Sequence, residues 1–489
     1  MRHISPKLSC LYFVLFLISC GEPGAKHSPA TADEVLKGPK DSYGNSIPNH
    51  KPVEETKEFQ TGKVNYGISI KSAPAQSYAL YLPSYYTSVR KWPVIYIFDS
   101  HARGRLPLER YQGLAETYGY VLVGSNYSKN GMDWETTLNH IDALLADTYK
   151  RLSIAADRIY AMGFSGGARV AVSMAIYKGN LAGVTGCAAG FPQLDKPINE
   201  MFPYMAFSGN RDFNFPEMIR LDEELDKMGF PHLLAVFDGK HEWPDVQTMQ
   251  KAFSWMELSA IRTGPAERRD SLIDNLYVKD IQQMQQLEKN GRMLELDRHY
   301  KMMAAIYENL KDVSDILEKQ NVLEKGESFK KEVKAQAETL LKEAKIDNSY
   351  AQAMVQKDLD WWVQEVGRVT KFIEAEKDPL KKNSFQRVFG YLSLMAYLQT
   401  EAALNQGNLA LAKKFLTIFQ LVDADNPDQY FLSAVWHAKM KDDKNALTDL
   451  SKAVKMGFDD FDRLRTEPSL SSIRAKLEYQ DILNSISPF

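Results

Sequence analysis

The sequence predicts an α/β domain, with a mostly parallel sheet and flanking helices, followed by an all-α domain. Three observations carry this. Between residues 61 and 262, short apolar runs alternate with helical, amphipathic stretches, as expected of parallel strands joined by right-handed crossovers. Beyond Thr263-Gly264-Pro265 the strand-like runs nearly vanish. Near the end, Ala412, Leu416 and Phe419 return as Ala446, Leu450 and Ala453, 34 residues on, a period that stacked helix pairs adopt.

The 489 residues are 44% hydrophobic and 25% charged, with a net charge of −3. That is enough chain for two or more domains. The balanced charge gives no electrostatic argument for nucleic acid as a partner. Three cysteines cannot build a disulfide framework, and two of them, Cys10 and Cys20, sit in the first twenty residues.

Residues 1–20 read as a targeting segment. Arg2, His3 and Lys7 form a basic start, and Leu8 to Ile18 is apolar but too short to span a bilayer. The closing Leu17-Ile18-Ser19-Cys20 resembles the lipobox of bacterial lipoproteins. That resemblance implies cleavage before Cys20, lipidation of its thiol, and a lipid anchor in the cell envelope. Gly21 after the cysteine is compatible with the outer membrane, and the protein would face the periplasm or exterior. Residues 21–60, rich in Pro, Gly, Lys and Ser, are expected to form a flexible tether.

The α/β domain is expected over 61–262. Lys63–Ile70 and Ser77–Leu82 read as entering strands, and Pro93–Phe98 as a buried one. Helix is predicted over Leu106–Tyr118, strand over Gly119–Gly124, and helix over Asp133–Leu152, with Ile141, Leu144, Leu145 and Tyr149 on one face. Ile159–Met162 is another strand. Leu181–Ala189, Tyr204–Ser208 and His232–Phe237 complete the sheet, with helices over Phe215–Gly229 and Gln247–Ile261.

The chemistry gathers at one turn. Ile159–Met162 runs into Gly163-Phe164-Ser165-Gly166-Gly167, and a small apolar helix follows at once. This is G-x-S-x-G in its strand–turn–helix setting, where a serine is lifted onto a tight turn flanked by glycines. Two further polar loops follow strands: Gly209-Asn210-Arg211-Asp212, and Gly239-Lys240-His241-Glu242-Trp243-Pro244. Ser165, Asp212 and His241 thus all fall just past strand C-terminal ends, where open α/β sheets place their functional loops. Asp238 is a rival to Asp212 as the acid.

Together these loops resemble the α/β-hydrolase superfamily, in particular the dienelactone-hydrolase and polyhydroxyalkanoate-depolymerase-like esterases. The likeness covers under half of the chain. It implies a serine hydrolase without cofactors: Ser165 as nucleophile, His241 as base, Asp212 as the acid that orients it. The Gly166 N–H would be one oxyanion donor, with Ser100 or His101 supplying the second. The loop Ser100-His101-Ala102-Arg103-Gly104 departs from the His-Gly-Gly-Gly pattern, so the second donor stays open between the two. Asn126, Lys129, Asn130 and Trp243 are candidate substrate-binding residues. A small-molecule or glycan-linked acyl group is the expected substrate, with ester and amide both open. Cys187, among small apolar residues, reads as inert core. No metal-ligand motif and no phosphate-binding glycine loop is present.

The second domain is expected over 269–489. Met302, Ile306, Leu310, Val313 and Leu317 keep helical spacing, as do Trp362, Val366, Val369 and Ile373. The Lys/Glu-rich stretch 324–345 reads as a solvated helix face. The 34-residue offset resembles a tetratricopeptide array. Such an array implies a protein partner on its concave face, or docking on the first domain. A non-catalytic assembly lipoprotein is the reading of a different class.

Overall fold

The computed structural model describes residues 58–194, 198 and 200–486. The targeting segment, Cys20 and the tether up to residue 57 lie outside the described residues. Eight strands form one sheet: β1 Val64–Ile70, β2 Ala73–Tyr81, β3 Trp92–Asp99, β4 Val121–Ser125, β5 Ile154–Phe164, β6 Gly183–Cys187, β7 Tyr204–Gly209 and β8 His232–Phe237. Their order is β1-β2-β4-β3-β5-β6-β7-β8. Only β2 runs against its neighbours β1 and β4; the remaining pairs are parallel. A mostly parallel eight-stranded sheet in this setting is the α/β-hydrolase fold.

Five helices cover the sheet: α1 Arg105–Tyr118, α2 Trp134–Arg151, α3 Gly166–Lys178, α4 Phe215–Met228 and α5 Val246–Thr263. All of β3 is buried, and its side chains alternate between two cores, as strand geometry requires. Ile95 and Ile97 pack with Tyr111 of α1 and Phe253 of α5, while Val94, Tyr96 and Phe98 pack with Ile141 of α2 and Val172 of α3. The expected elements are all present with shifted ends. β2 begins four residues earlier than its apolar pattern, because Ala73 closes a hairpin on Ile70. Gly119, read as strand, is instead the left-handed cap of α1, at φ 78°.

The helical half comprises α6 Asp270–Lys289, α7 Met293–Tyr307, α8 Ser314–Lys325, α9 Glu327–Gln356, α10 Leu359–Ala375, α11 Pro379–Asn405, α12 Leu409–Val422, α13 Pro427–Lys439, α14 Asp443–Lys455, α15 Phe461–Thr466 and α16 Leu477–Ile486. The chain turns at Gly264, but packing does not divide there. Ile273, Leu276, Leu296 and Tyr300 join Phe253 and Trp255 of α5 in one hydrophobic cluster. A separate core begins near Tyr350 and runs to Ile482. The 34-residue offset falls on α12 and α14, where Ala412, Leu416, Ala446, Leu450 and Ala453 are all fully buried. The close approaches are within the neighbouring pairs α11–α12 and α13–α14, where small residues such as Ala412 and Ala446 leave room for the facing helix.

One buried histidine ties α2 to the sheet. His140 is fully buried, with Nε2 2.7 Å from Ser125 Oγ and Nδ1 2.8 Å from Gln76 Oε1. Burial pushes its pKa down to about 4. Between that value and the ordinary 6.5, the unfolded chain binds a proton that the folded one refuses, so stability rises with pH across this window. The proton costs the fold about 3 kcal/mol in total. Thermal melts from pH 7 to 4.5 should therefore fall more steeply for wild type than for His140→Gln; parallel curves would contradict this.

Candidate active site

Strand β5 delivers Ser165 to the C-terminal edge of the sheet, and α3 starts at the next residue. Ser165 sits at φ 54°, ψ −123°, a conformation L-residues avoid, at a cost of about 1–3 kcal/mol. The glycines around it are sterically required. A Cβ on Gly163 would lie 2.0 Å from the Gly167 carbonyl oxygen, and one on Gly167 would lie 2.1 Å from that of Phe98. The strain yields an expected result: Ser165→Gly, free to adopt φ > 0, melts higher than Ser165→Ala by an amount worth about 1 kcal/mol. Equal melting temperatures would mean that the turn is relaxed.

Asp212 follows β7 in a turn pinned by backbone bonds. Asn210 N donates to Phe237 O at 2.8 Å and Arg211 N to Gly239 O at 2.9 Å. Its carboxylate is fully buried. Oδ1 accepts from Asn214 N at 2.8 Å and lies 2.9 Å from His241 Nδ1. A carboxylate only accepts, so the proton sits on Nδ1 and Nε2 is left as an acceptor. Nε2 is 3.0 Å from Ser165 Oγ. The imidazole is held between two rings, Phe213 stacked at 4.2 Å and Phe164 tilted at 4.9 Å between centroids. The structure therefore brings Ser165, His241 and Asp212 together. Asp238 is left outside: it is 79% exposed and pairs with Arg211.

The loop after β3 lies against this triad. The register pairs Asp99 with Phe164, which sets Ser100 beside Ser165. Asp99 is buried and organises the loop. It accepts from His101 N at 2.9 Å, Arg103 Nε at 2.8 Å and Trp243 Nε1 at 2.8 Å. Burial alone would raise its pKa; Arg103 and these donors hold it below the usual carboxylate range. Of the two residues considered for the second oxyanion donor, His101 has its N–H committed to Asp99. The Gly166 N–H opens α3 and lacks an intrahelical acceptor.

The four substrate-binding candidates separate. Asn130 stays at the site: its N–H donates to Ser100 O at 2.9 Å, and its Oδ1 occupies the place a Cβ on Gly166 would take. Lys129 is exposed and bridges to His101. Asn126 is turned away, with Nδ2 3.3 Å from Ser77 Oγ. Trp243 does not line the mouth. It is 4% exposed, stacks on Phe164, and spends its indole N–H on Asp99. Its carbonyl and that of Pro244 accept from Arg110 and Tyr111 of α1, which fixes the His241 loop. Cys187 is buried beneath the site, and burial pushes its thiol pKa up.

Sequence reading missed Phe213, Phe164 and Arg103. The two phenylalanines adjoin Asp212 and Ser165 and were findable as neighbours; Arg103 is four residues from Asp99, in the loop that follows β3. Among the described residues, no group of three or more His, Cys, Asp or Glu side chains is disposed to hold a metal ion.

Neither a family model nor a curated protein matches the sequence. Solved structures do. An S-formylglutathione hydrolase from Staphylococcus aureus is 14% identical, over 40% of this chain and 98% of its own, with a TM-score of 0.35. Esterase B from Lactobacillus rhamnosis is 16% identical, over 42% and 89%, with a TM-score of 0.35. An esterase from Pyrobaculum calidifontis is 14% identical, over 42% and 86%, with a TM-score of 0.32. The chain is thus similar to these proteins over about two fifths of its length, and the assignment of its fold stands on the strand order of its own sheet.

Proposed function

We propose that this protein is a serine hydrolase that cleaves carboxylic esters through Ser165, His241 and Asp212. One observation carries the reading: a strained serine at a strand–helix turn, 3.0 Å from an imidazole nitrogen whose other nitrogen is 2.9 Å from a buried carboxylate. Ser165 Oγ attacks the acyl carbonyl as His241 Nε2 takes its proton. The tetrahedral oxyanion is met by the N–H groups of Gly166 and Ser100. The leaving alcohol takes the proton back from Nε2, and an acyl-serine ester remains. Water, deprotonated by the same nitrogen, then releases the acid and restores the hydroxyl. Asp212 holds the tautomer and stabilises the imidazolium.

The substrate belongs to the same proposal: a small-molecule or glycan-linked acyl ester, met in the cell envelope by an enzyme anchored through lipidated Cys20. A fluorophosphonate probe should leave one covalent adduct, mapped by mass to the peptide containing Ser165. Acyl esters of graded chain length should be hydrolysed faster than aminoacyl amides. Faster amide cleavage would make the protein a peptidase. Neither adduct nor turnover would leave an assembly protein whose helical half binds a partner.

A further inference from the structure

Helix α11 reaches back across the chain to the loop that carries the acid. Arg387 is 2% exposed. Its guanidinium meets Glu343 of α9, itself 1% exposed, with Nε 2.8 Å from Oε1 and Nη2 2.6 Å from Oε2. Glu343 lies in the Lys/Glu-rich stretch expected to be solvated, and it is the member of that stretch that the fold buries. The remaining nitrogen, Nη1, donates to the main-chain carbonyl of Asn210 at 2.7 Å, which opens the turn ending in Asp212. The same guanidinium lies over the Phe215 ring at 4.8 Å.

One helical turn further on, Gly390 shares this face of α11. A Cβ there would stand 3.4 Å from the ring of Phe213, the ring that stacks on His241. The helix therefore touches the triad loop on both sides of Asp212, through the carbonyl before it and the aromatic ring after it. Burying an Arg–Glu pair is expensive, and hydrophobic side chains of similar volume would often stabilise the fold better. What those side chains cannot do is grip a carbonyl. A planar fork with spare N–H groups binds a carboxylate on one edge and a carbonyl on the other; an ammonium cannot do both in fixed geometry.

We infer that Arg387 is a positioning residue for the Asp212–His241 pair, which makes the helical half of the chain a working part of the hydrolytic site. This rests on the serine-hydrolase reading above. Asp212 Oδ1 serves two donors, Asn214 N and His241 Nδ1, so a small drift of its turn lengthens the bond that orients the imidazole. A misplacement near 1 Å costs about 10²-fold in rate.

The test uses the full chain, with a p-nitrophenyl acyl ester and the fluorophosphonate probe. Arg387→Met should lower kcat and the labelling rate by about 10²-fold at unchanged KM. Arg387→Lys, which keeps a charge for Glu343, should fall between Met and wild type. Looser contact between Asp212 and the imidazole destabilises the imidazolium, so the acid limb of the kcat/KM profile should move to lower pH. The downfield Nδ1–H proton resonance should shift or broaden in both variants. Tyr350→Phe, which removes the bond to Glu365 elsewhere in the helical half, should lower the melting temperature and leave kcat, profile and resonance alone. If the Met variant does not fold, the Lys variant and its resonance decide. Folded Arg387 variants with wild-type kcat, profile and resonance would overturn the inference and leave the hydrolase reading intact. A wild-type protein that neither labels nor turns over would overturn both.

Discussion

Replacing Ser165 with alanine should lower kcat for an acyl ester by about 10⁶-fold and abolish fluorophosphonate labelling. The reasoning is geometric. Oγ is the atom placed 3.0 Å from the unprotonated nitrogen of His241, and it stands at the start of α3, where free N–H groups converge. Alanine leaves that scaffold, its strain included, and removes only the attacking atom. A rate above the uncatalysed one should survive, from the oxyanion donors acting on water. Because the residues act as a unit, Ser165→Ala combined with His241→Ala should be no slower than Ser165→Ala alone. Initial rates on the purified variants, with labelling followed by mass, read both outcomes. Turnover that survives in Ser165→Ala would place the nucleophile elsewhere.

Asp212→Asn should lower kcat by about 10⁴-fold. The amide has two orientations here, and each is costly. With its oxygen on the shared Oδ1 position, it keeps the bonds to Asn214 N and His241 Nδ1. It then loses the charge that supports the imidazolium and sets an NH₂ group where Asp212 Oδ2 is buried without a partner. Flipped, the amide donates to Nδ1, drives the imidazole proton onto Nε2, and removes the base from Ser165. Asp238→Asn is the matched control, since that exposed carboxylate faces Arg211 and not the imidazole; it should turn over like wild type. If the two variants exchanged behaviour, the acid would be Asp238.

How much was legible beforehand follows from the range over which each cause acts. The elbow was readable because its reasons are local. Gly163 and Gly167 are required by backbone atoms within a few residues or on the adjacent strand, whereas Gly166 faces the Asn130 side chain, brought in by the loop after β4. Strand ends were readable to within a few residues, since apolar runs stop where burial stops. The triad's order along the chain was readable because parallel strands deliver their loops to one edge. The site's surroundings were less so. Trp243 looked like a wall of the mouth, as an aromatic two residues from His241 would, and its neighbours in sequence say nothing of Asp99, 144 residues away, which takes its indole N–H.

The helical half shows the same divide. Periodicity along α12 and α14 marked the faces that became core, because a helix must hide its apolar stripe whatever lies opposite. Nothing local separates Glu343 from the exposed lysines and glutamates beside it; what buries it is the approach of α11, and with it Arg387. Sequence alone determined which residues form strands, which turn lifts a serine, and which three loops share an edge, since backbone sterics and side-chain periodicity act between near neighbours. Only the tertiary structure decided which carboxylate faces the imidazole, which carboxylate takes the Trp243 indole N–H, and that a helix from the second half braces the acid loop. Those contacts join residues from 29 to 177 positions apart, and such distances are closed by packing of the whole chain.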